Sequence, residues 1–133
     1  MHISVVSPVY KAPKILPELV ARLEKSLSEI TDSFEVILVD DGCPWDSWSV
    51  IEALSKDFKF IKGIKLSRNF GQQYAITAGL DYAKGDWVVV MDCDLQDPPE
   101  FILDLVKASQ NAEIVFTQRK TRIDKPFKKL SAS

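Results

Sequence analysis

Short runs dominated by Val, Ile and Leu recur along this chain, separated by segments whose apolar residues return every three or four positions. The runs fall at 3–7, 35–40, 60–66, 87–91 and 113–117. Between them, Leu16, Leu19, Val20, Leu23, Leu27 and Ile30 mark one face of a helix over 15–30. Trp48, Val50, Ile51 and Leu54 suggest a second helix. A third is expected over 74–83, where Ala75, Ala78 and Gly79 permit close packing, and a fourth over 101–108. Pro8 is expected to stop the first strand. A strand with one wet face alternates apolar and polar residues, and these runs do not. They predict a parallel sheet covered on both faces. The β-α-β-α order then predicts an α/β fold with a doubly wound, mainly parallel sheet flanked by helices, of the type that binds nucleotides.

At 133 residues the chain is one domain's worth at most, and an apolar share of 46% is enough for a core. Charge is unevenly spread. Of 17 basic and 19 acidic residues, six and one fall within 118–133, leaving a body of −7 and a tail of +5. The reading is therefore an α/β domain over 1–117 and a basic segment over 118–133 that leads into a further C-terminal part. An acidic body excludes a nucleic-acid binder with a basic face. The tail is either a solvated terminus or a contact with an anionic membrane surface. Cys43 and Cys93 have no CxxC partner, which suits a reducing compartment. The chain runs from Met1 straight into strand-like residues, so no signal peptide is expected. No apolar run approaches a membrane-spanning length.

The fourth run ends in Asp92-Cys93-Asp94-Leu95-Gln96-Asp97-Pro98-Pro99-Glu100. Side chains two apart on an extended segment point the same way, so Asp92 and Asp94 are expected to converge. Two carboxylates side by side call for a cation, and Mg²⁺ or Mn²⁺ takes oxygen ligands and brings substrate phosphates as the rest of its shell. The two prolines then open a helix. The other strand ends carry Ser7-Pro8-Val9-Tyr10, Asp40-Asp41-Gly42 and Ser67-Arg68-Asn69-Phe70-Gly71. In a parallel sheet these ends share one rim. Each has a plainer reading: Asp40-Asp41-Gly42 is also a turn signal, Arg68 alone is a surface arginine, and Asp97 suits a helix cap. The planar fork of Arg68 would suit a diphosphate. Trp45 and Trp48 could stack a base, whereas Trp87 suits the core. His2, at a frayed start, is expected to be inert.

In this order these motifs, with Ala78-Gly79-Leu80, resemble the N-terminal, nucleotide-sugar-binding part of family 2 glycosyltransferases with the GT-A fold. The branch they most resemble loads sugars onto polyprenyl phosphate, like dolichyl-phosphate mannosyltransferases. The resemblance implies that Asp41, or Asp40, holds the base through a ring N–H. Pro8 and Tyr10 would line the base and ribose pocket, and Arg68 would lie near the base or diphosphate. Asp92 and Asp94 would bind Mg²⁺ or Mn²⁺, with Gln96 adding an oxygen. Arg119, Arg122, Lys128 and Lys129 resemble a basic segment at the membrane interface, placing the protein at the cytoplasmic face.

The implied reaction is a metal-dependent, inverting transfer from a UDP-sugar, or from GDP-mannose, to polyprenyl phosphate. The resemblance also implies an acceptor-binding half, with any catalytic base, beyond Ser133. These residues alone are therefore expected to bind donor and to be weakly active or inactive. Gln72 stands where a lysine is frequent in the family, and Cys43 where a serine is. The alternatives are transfer to a sugar hydroxyl in polysaccharide or lipopolysaccharide synthesis, and a non-catalytic nucleotide-binding module. A nucleotidyltransferase would also use paired carboxylates, but there is no phosphate loop of the G-x-x-x-x-G-K-[ST] kind.

Overall fold

The computed structural model describes residues 2–95, 98–108 and 114–116. In chain order it has β1 (His2–Val9), α1 (Leu16–Ser28), β2 (Ser33–Asp40), α2 (Ser47–Asp57), β3 (Ile61–Lys65), α3 (Gln72–Tyr82), β4 (Trp87–Val90), α4 (Phe101–Ala108) and β5 (Ile114–Phe116). Every pairing is parallel and the sheet order is β3-β2-β1-β4-β5. The chain leaves β1 on one side for β2 and β3, then returns past it to β4 and β5. This reversal beside β1 opens a crevice at the carboxyl ends of β1 and β4.

The unbroken apolar runs follow from burial on both faces. Ile3, Val5 and Val9 of β1 pack with Leu16, Leu19 and Leu23 of α1, Ile51 of α2 and Ile102 of α4. Val6 points the other way, with Ile37, Val39, Val88 and Val90, onto Ala75 and Ile76 of α3. On α1 the expected stripe is buried from Leu16 to Leu27, and each leucine contributes roughly 1.5–3 kcal/mol relative to an exposed one. Gly79 lets α3 approach β1 closely, since a β-carbon there would lie 2.4 Å from Val6 Cγ1.

The structure departs from the sequence reading of the fold at several points. Pro8 does not stop β1, which continues to Val9 with Pro8 in register with Val39. The Val6 carbonyl accepts from Met91 N–H on the β4 side, and the Val9 carbonyl accepts from Asp41 N–H on the β2 side. Alternation therefore turns position 8 toward β4, whose pairing has already ended at Val6↔Val90. A missing N–H costs nothing there. Second, β3 is an edge strand in which only Ile61 is buried, with Lys62 and Lys65 exposed, as edges that resist further pairing tend to be.

Third, the start of β1 is pinned rather than frayed. His2 N–H donates to Asp86 Oδ2 at 3.1 Å and the His2 carbonyl accepts from Asp86 N–H at 2.7 Å. Beside it, buried Glu35 accepts from Ser4 Oγ at 2.6 Å and from Lys84 N–H at 2.7 Å, so its burial is compensated. The basic segment over 118–133 lies outside the described residues.

Candidate functional site

At the crevice a cavity of about 330 Å³ is lined by Pro8, Tyr10, Lys11 and Ala12 from the end of β1. Asp41 lines it from the end of β2, Gln72 from the start of α3, and Asp92, Cys93 and Asp94 from the end of β4. Five of the predicted site residues, Pro8, Tyr10, Asp41, Asp92 and Asp94, therefore meet around one space. Asp92 and Asp94 both border the cavity, but not as residues two apart on an extended strand. β4 ends at Val90, and Cys93 and Asp94 lie in a turn rather than on an extended pleat.

Among the described residues, two other than glycine have left-handed backbones, Lys11 at φ +55 and Leu95 at φ +62. Lys11 follows β1 and lines the cavity, and Leu95 follows β4 and packs against the core. Such conformations cost of order 1 kcal/mol and gather where a side chain must be aimed.

Asp40 and Asp41, adjacent in sequence, have different surroundings. Both are buried. Asp40 turns back to its own loop, accepting from Cys43 N–H at 3.0 Å, and does not line the cavity. Asp41 Oδ1 accepts from Phe70 N–H at 3.0 Å and Gly71 N–H at 3.3 Å, fixing the loop that enters α3. Its carboxylate still borders the cavity. Gly42 makes this crossing possible. At φ +64, a β-carbon on it would stand 2.2 Å from Arg68 C and Asn69 N.

The Arg68 side chain lies over the Phe70 ring, with Cζ 4.7 Å from its centroid, and is not among the described lining residues. Gln96, Arg119, Arg122, Lys128 and Lys129 lie outside the described residues.

Lys11, Ala12, Gln72 and Cys93 were not predicted to line the site. Lys11 is the one cation among the described lining residues. Its Nζ sits 5.4 Å from the Tyr10 ring centroid and 5.8 Å from that of Trp45, and its N–H donates to Cys43 Sγ at 2.9 Å. Its adjacency to Tyr10 was the available signal. Gln72 reaches the site because α3 begins two residues before the expected start. Its amide donates to Asp92 Oδ1 at 3.1 Å.

Burial, with the charges of Asp94 and Asp92 adding to it, pushes the Cys93 thiol up to about 11. With no cation beside it, the thiol is therefore protonated at neutral pH. The Asp92 and Asp94 carboxylates on either side of it in sequence are hard oxygen donors, a set that fits Mg²⁺ or Mn²⁺. Among the described residues no group of three or more His, Cys, Asp or Glu is placed to hold a metal.

An α/β sheet with a cleft of acids at its point of reversal is the architecture of nucleotide-binding enzymes. The family model "Glycosyl transferase family 2" matches residues 4–133, and the chain belongs to that family. The undecaprenyl-phosphate 4-deoxy-4-formamido-L-arabinose transferase of Aeromonas hydrophila is 41% identical over 132 residues, 98% of this chain and 40% of that protein. The enzyme of the same description from Pectobacterium atrosepticum is 44% identical over 133 residues, 98% of this chain and 41% of that protein. The uncharacterized glycosyltransferase YkcC of Bacillus subtilis is 39% identical over 125 residues, 93% and 39% of the two chains. The chain spans about two fifths of the length of these relatives.

Among solved structures, the mannosyltransferase PcManGT from Pyrobaculum calidifontis, in complex with GDP-Man and Mn²⁺, superposes with a TM-score of 0.67 at 20% identity. The match covers 77% of this chain and 30% of that one. S. aureus TarS 1-349 in complex with UDP-GlcNAc gives a TM-score of 0.59 at 27% identity over 79% and 32%. The fold is thus that of GT-A glycosyltransferases.

Proposed function

We propose that the protein carrying this chain transfers a sugar, with inversion, from a nucleoside-diphosphate donor to polyprenyl phosphate at the cytoplasmic face of a membrane. The observation that carries this reading is that Asp41, Asp92 and Asp94 meet Pro8 and Tyr10 around one cavity at the carboxyl ends of β1, β2 and β4. Pro8 and Tyr10 would face the base and ribose, with the Asp41 carboxylate accepting a base N–H. Asp40, which accepts from Cys43 N–H, and Arg68, which lies over Phe70, are the weaker members of the proposed donor set. Gln96 is kept as a further oxygen, and Arg119, Arg122, Lys128 and Lys129 as phosphate or membrane contacts.

Asp92 and Asp94 would hold Mg²⁺ or Mn²⁺, whose charge, when bound, offsets that of the leaving nucleoside diphosphate. A phosphate-monoester acceptor has a second pKa near 6 and is already largely anionic at neutral pH. The chain's residues then need only orient the donor, without a base to deprotonate the acceptor. UDP is favoured over GDP because the UDP-GlcNAc-bound neighbour is the more similar of the two in sequence. The undecaprenyl-phosphate relatives support the acceptor. The 133 residues span two fifths of those relatives, so donor binding is expected from them without full-rate transfer.

Calorimetric titration of UDP and GDP, each with and without Mn²⁺, tests the reading. Metal-dependent binding of UDP is expected, and it should vanish in the Asp92→Asn/Asp94→Asn double variant. Binding that ignores Mn²⁺ and survives the double substitution would place the donor elsewhere.

A further inference from the structure

Gln72 is used by none of the roles above, yet it joins the two acid positions of the cleft. Asp41 at the end of β2 accepts from Phe70 N–H and Gly71 N–H. Gly71 is the residue that precedes α3, and Gln72 is the helix's first residue. From there the Gln72 side chain crosses to Asp92 beyond β4, donating to Oδ1 at 3.1 Å. The tie runs from one carboxylate through two backbone amides and a helix start to the other, and Gln72 lines the cavity between them.

The packing of α3 holds this span in place. Ala75 and Gly79 are buried against β1 and β2, and the approach at Gly79 leaves no room for a β-carbon. The helix start cannot slide without breaking that fit.

We infer that Gln72 is a positioning residue for the cation site: it orients the Asp92 carboxylate toward a divalent ion without neutralising it. The inference rests on the reading of Asp92 and Asp94 as cation ligands. A carboxylate offers about four lone-pair directions, and a neutral amide donor takes one while leaving the full negative charge. Hydrogen-bond partners that orient a metal's carboxylates change affinity by about 10–100-fold when removed.

The test is Mn²⁺ titration of the purified protein, without nucleotide, followed by calorimetry and by Mn²⁺ electron paramagnetic resonance. Gln72→Met keeps the shape and removes the donor. It is expected to raise the Mn²⁺ dissociation constant by about tenfold. Gln73→Ala, an exposed neighbour in the same turn, should bind as the parent does. Thermal melts establish that each variant is folded, and Gln72→Ala replaces Gln72→Met should the latter fail to fold. Parent-like affinity in a folded Gln72→Met or Gln72→Ala protein overturns the positioning role while leaving the cation site intact. Failure of the parent itself to bind Mn²⁺, in a repeat with UDP added as well as without it, overturns the cation site, and the role of Gln72 with it.

Discussion

At position 42 the backbone is left-handed and the β3–α3 loop runs across it, so a single added methyl group would meet main-chain atoms of Arg68 and Asn69 at 2.2 Å. Main chain cannot swing aside as a lysine tip can. Gly42→Ala is therefore expected to cost about 3 kcal/mol, combining the left-handed penalty with overpacking. A urea midpoint shift at unchanged slope measures it. The same change should weaken nucleotide binding, because the displaced loop holds the amides that fix Asp41. In sequence, Asp41-Gly42 reads as a turn, which it is. That its glycine also serves as the floor for a loop from another strand depends on tertiary contact and leaves no local mark. Asp92 and Asp94 were legible because strand ends share a rim whatever the details of the turn. Lys11 was not, since nothing about a lysine announces a positive φ.

Among the elements, α3 shows most clearly where pattern reading stops. Its apolar face starts at Ala75, so periodicity sets the helix at Tyr74, yet the structure begins it at Gln72 after Gly71, with no side-chain cap. Those two residues hold the side chain that reaches Asp92. Helices α1 and α4 pack through the apolar core, and an ion pair adds a link from α1 to the residue just before α4. Arg22 donates to both Glu100 oxygens, Nε to Oε2 at 3.2 Å, and the bidentate contact holds the Glu100 carboxyl below its ordinary range. A lowered folded pKa contributes stability above the unfolded carboxylate value near 4.3 and loses it as pH falls through the folded value. Both side chains are over a third exposed or close to it, so solvent screens the pair and the effect is small. Glu100→Gln should thus be slightly less stable than the parent at pH 6, and the difference should close below about pH 4. Denaturant midpoints across that range, with and without added salt, check it. A gap that stays constant with pH would assign the loss to packing.

For the molecule as a whole, the alternation of elements was enough to predict a parallel sheet covered on both faces, and the five described strands realise it. Strand order was not legible in the same way. Nothing in the runs themselves says that β1 rather than β2 lies beside β4. With β1 central, each half of the sheet ends its turn on the same crevice. Lys11 and Leu95 are the two residues other than glycine with a positive φ among the described residues, one just after β1 and the other just after β4. A screen for heat resistance, blind to binding, would find them first. Asparagine tolerates the left-handed region better than lysine, so Lys11→Asn should raise stability by about 0.5–1 kcal/mol. It should also remove the one positive side chain among the described residues lining the cleft, and so weaken nucleotide binding in calorimetry. Robustness and affinity pull in opposite directions at that residue, so selection for a tougher protein would move the sequence away from the one that works.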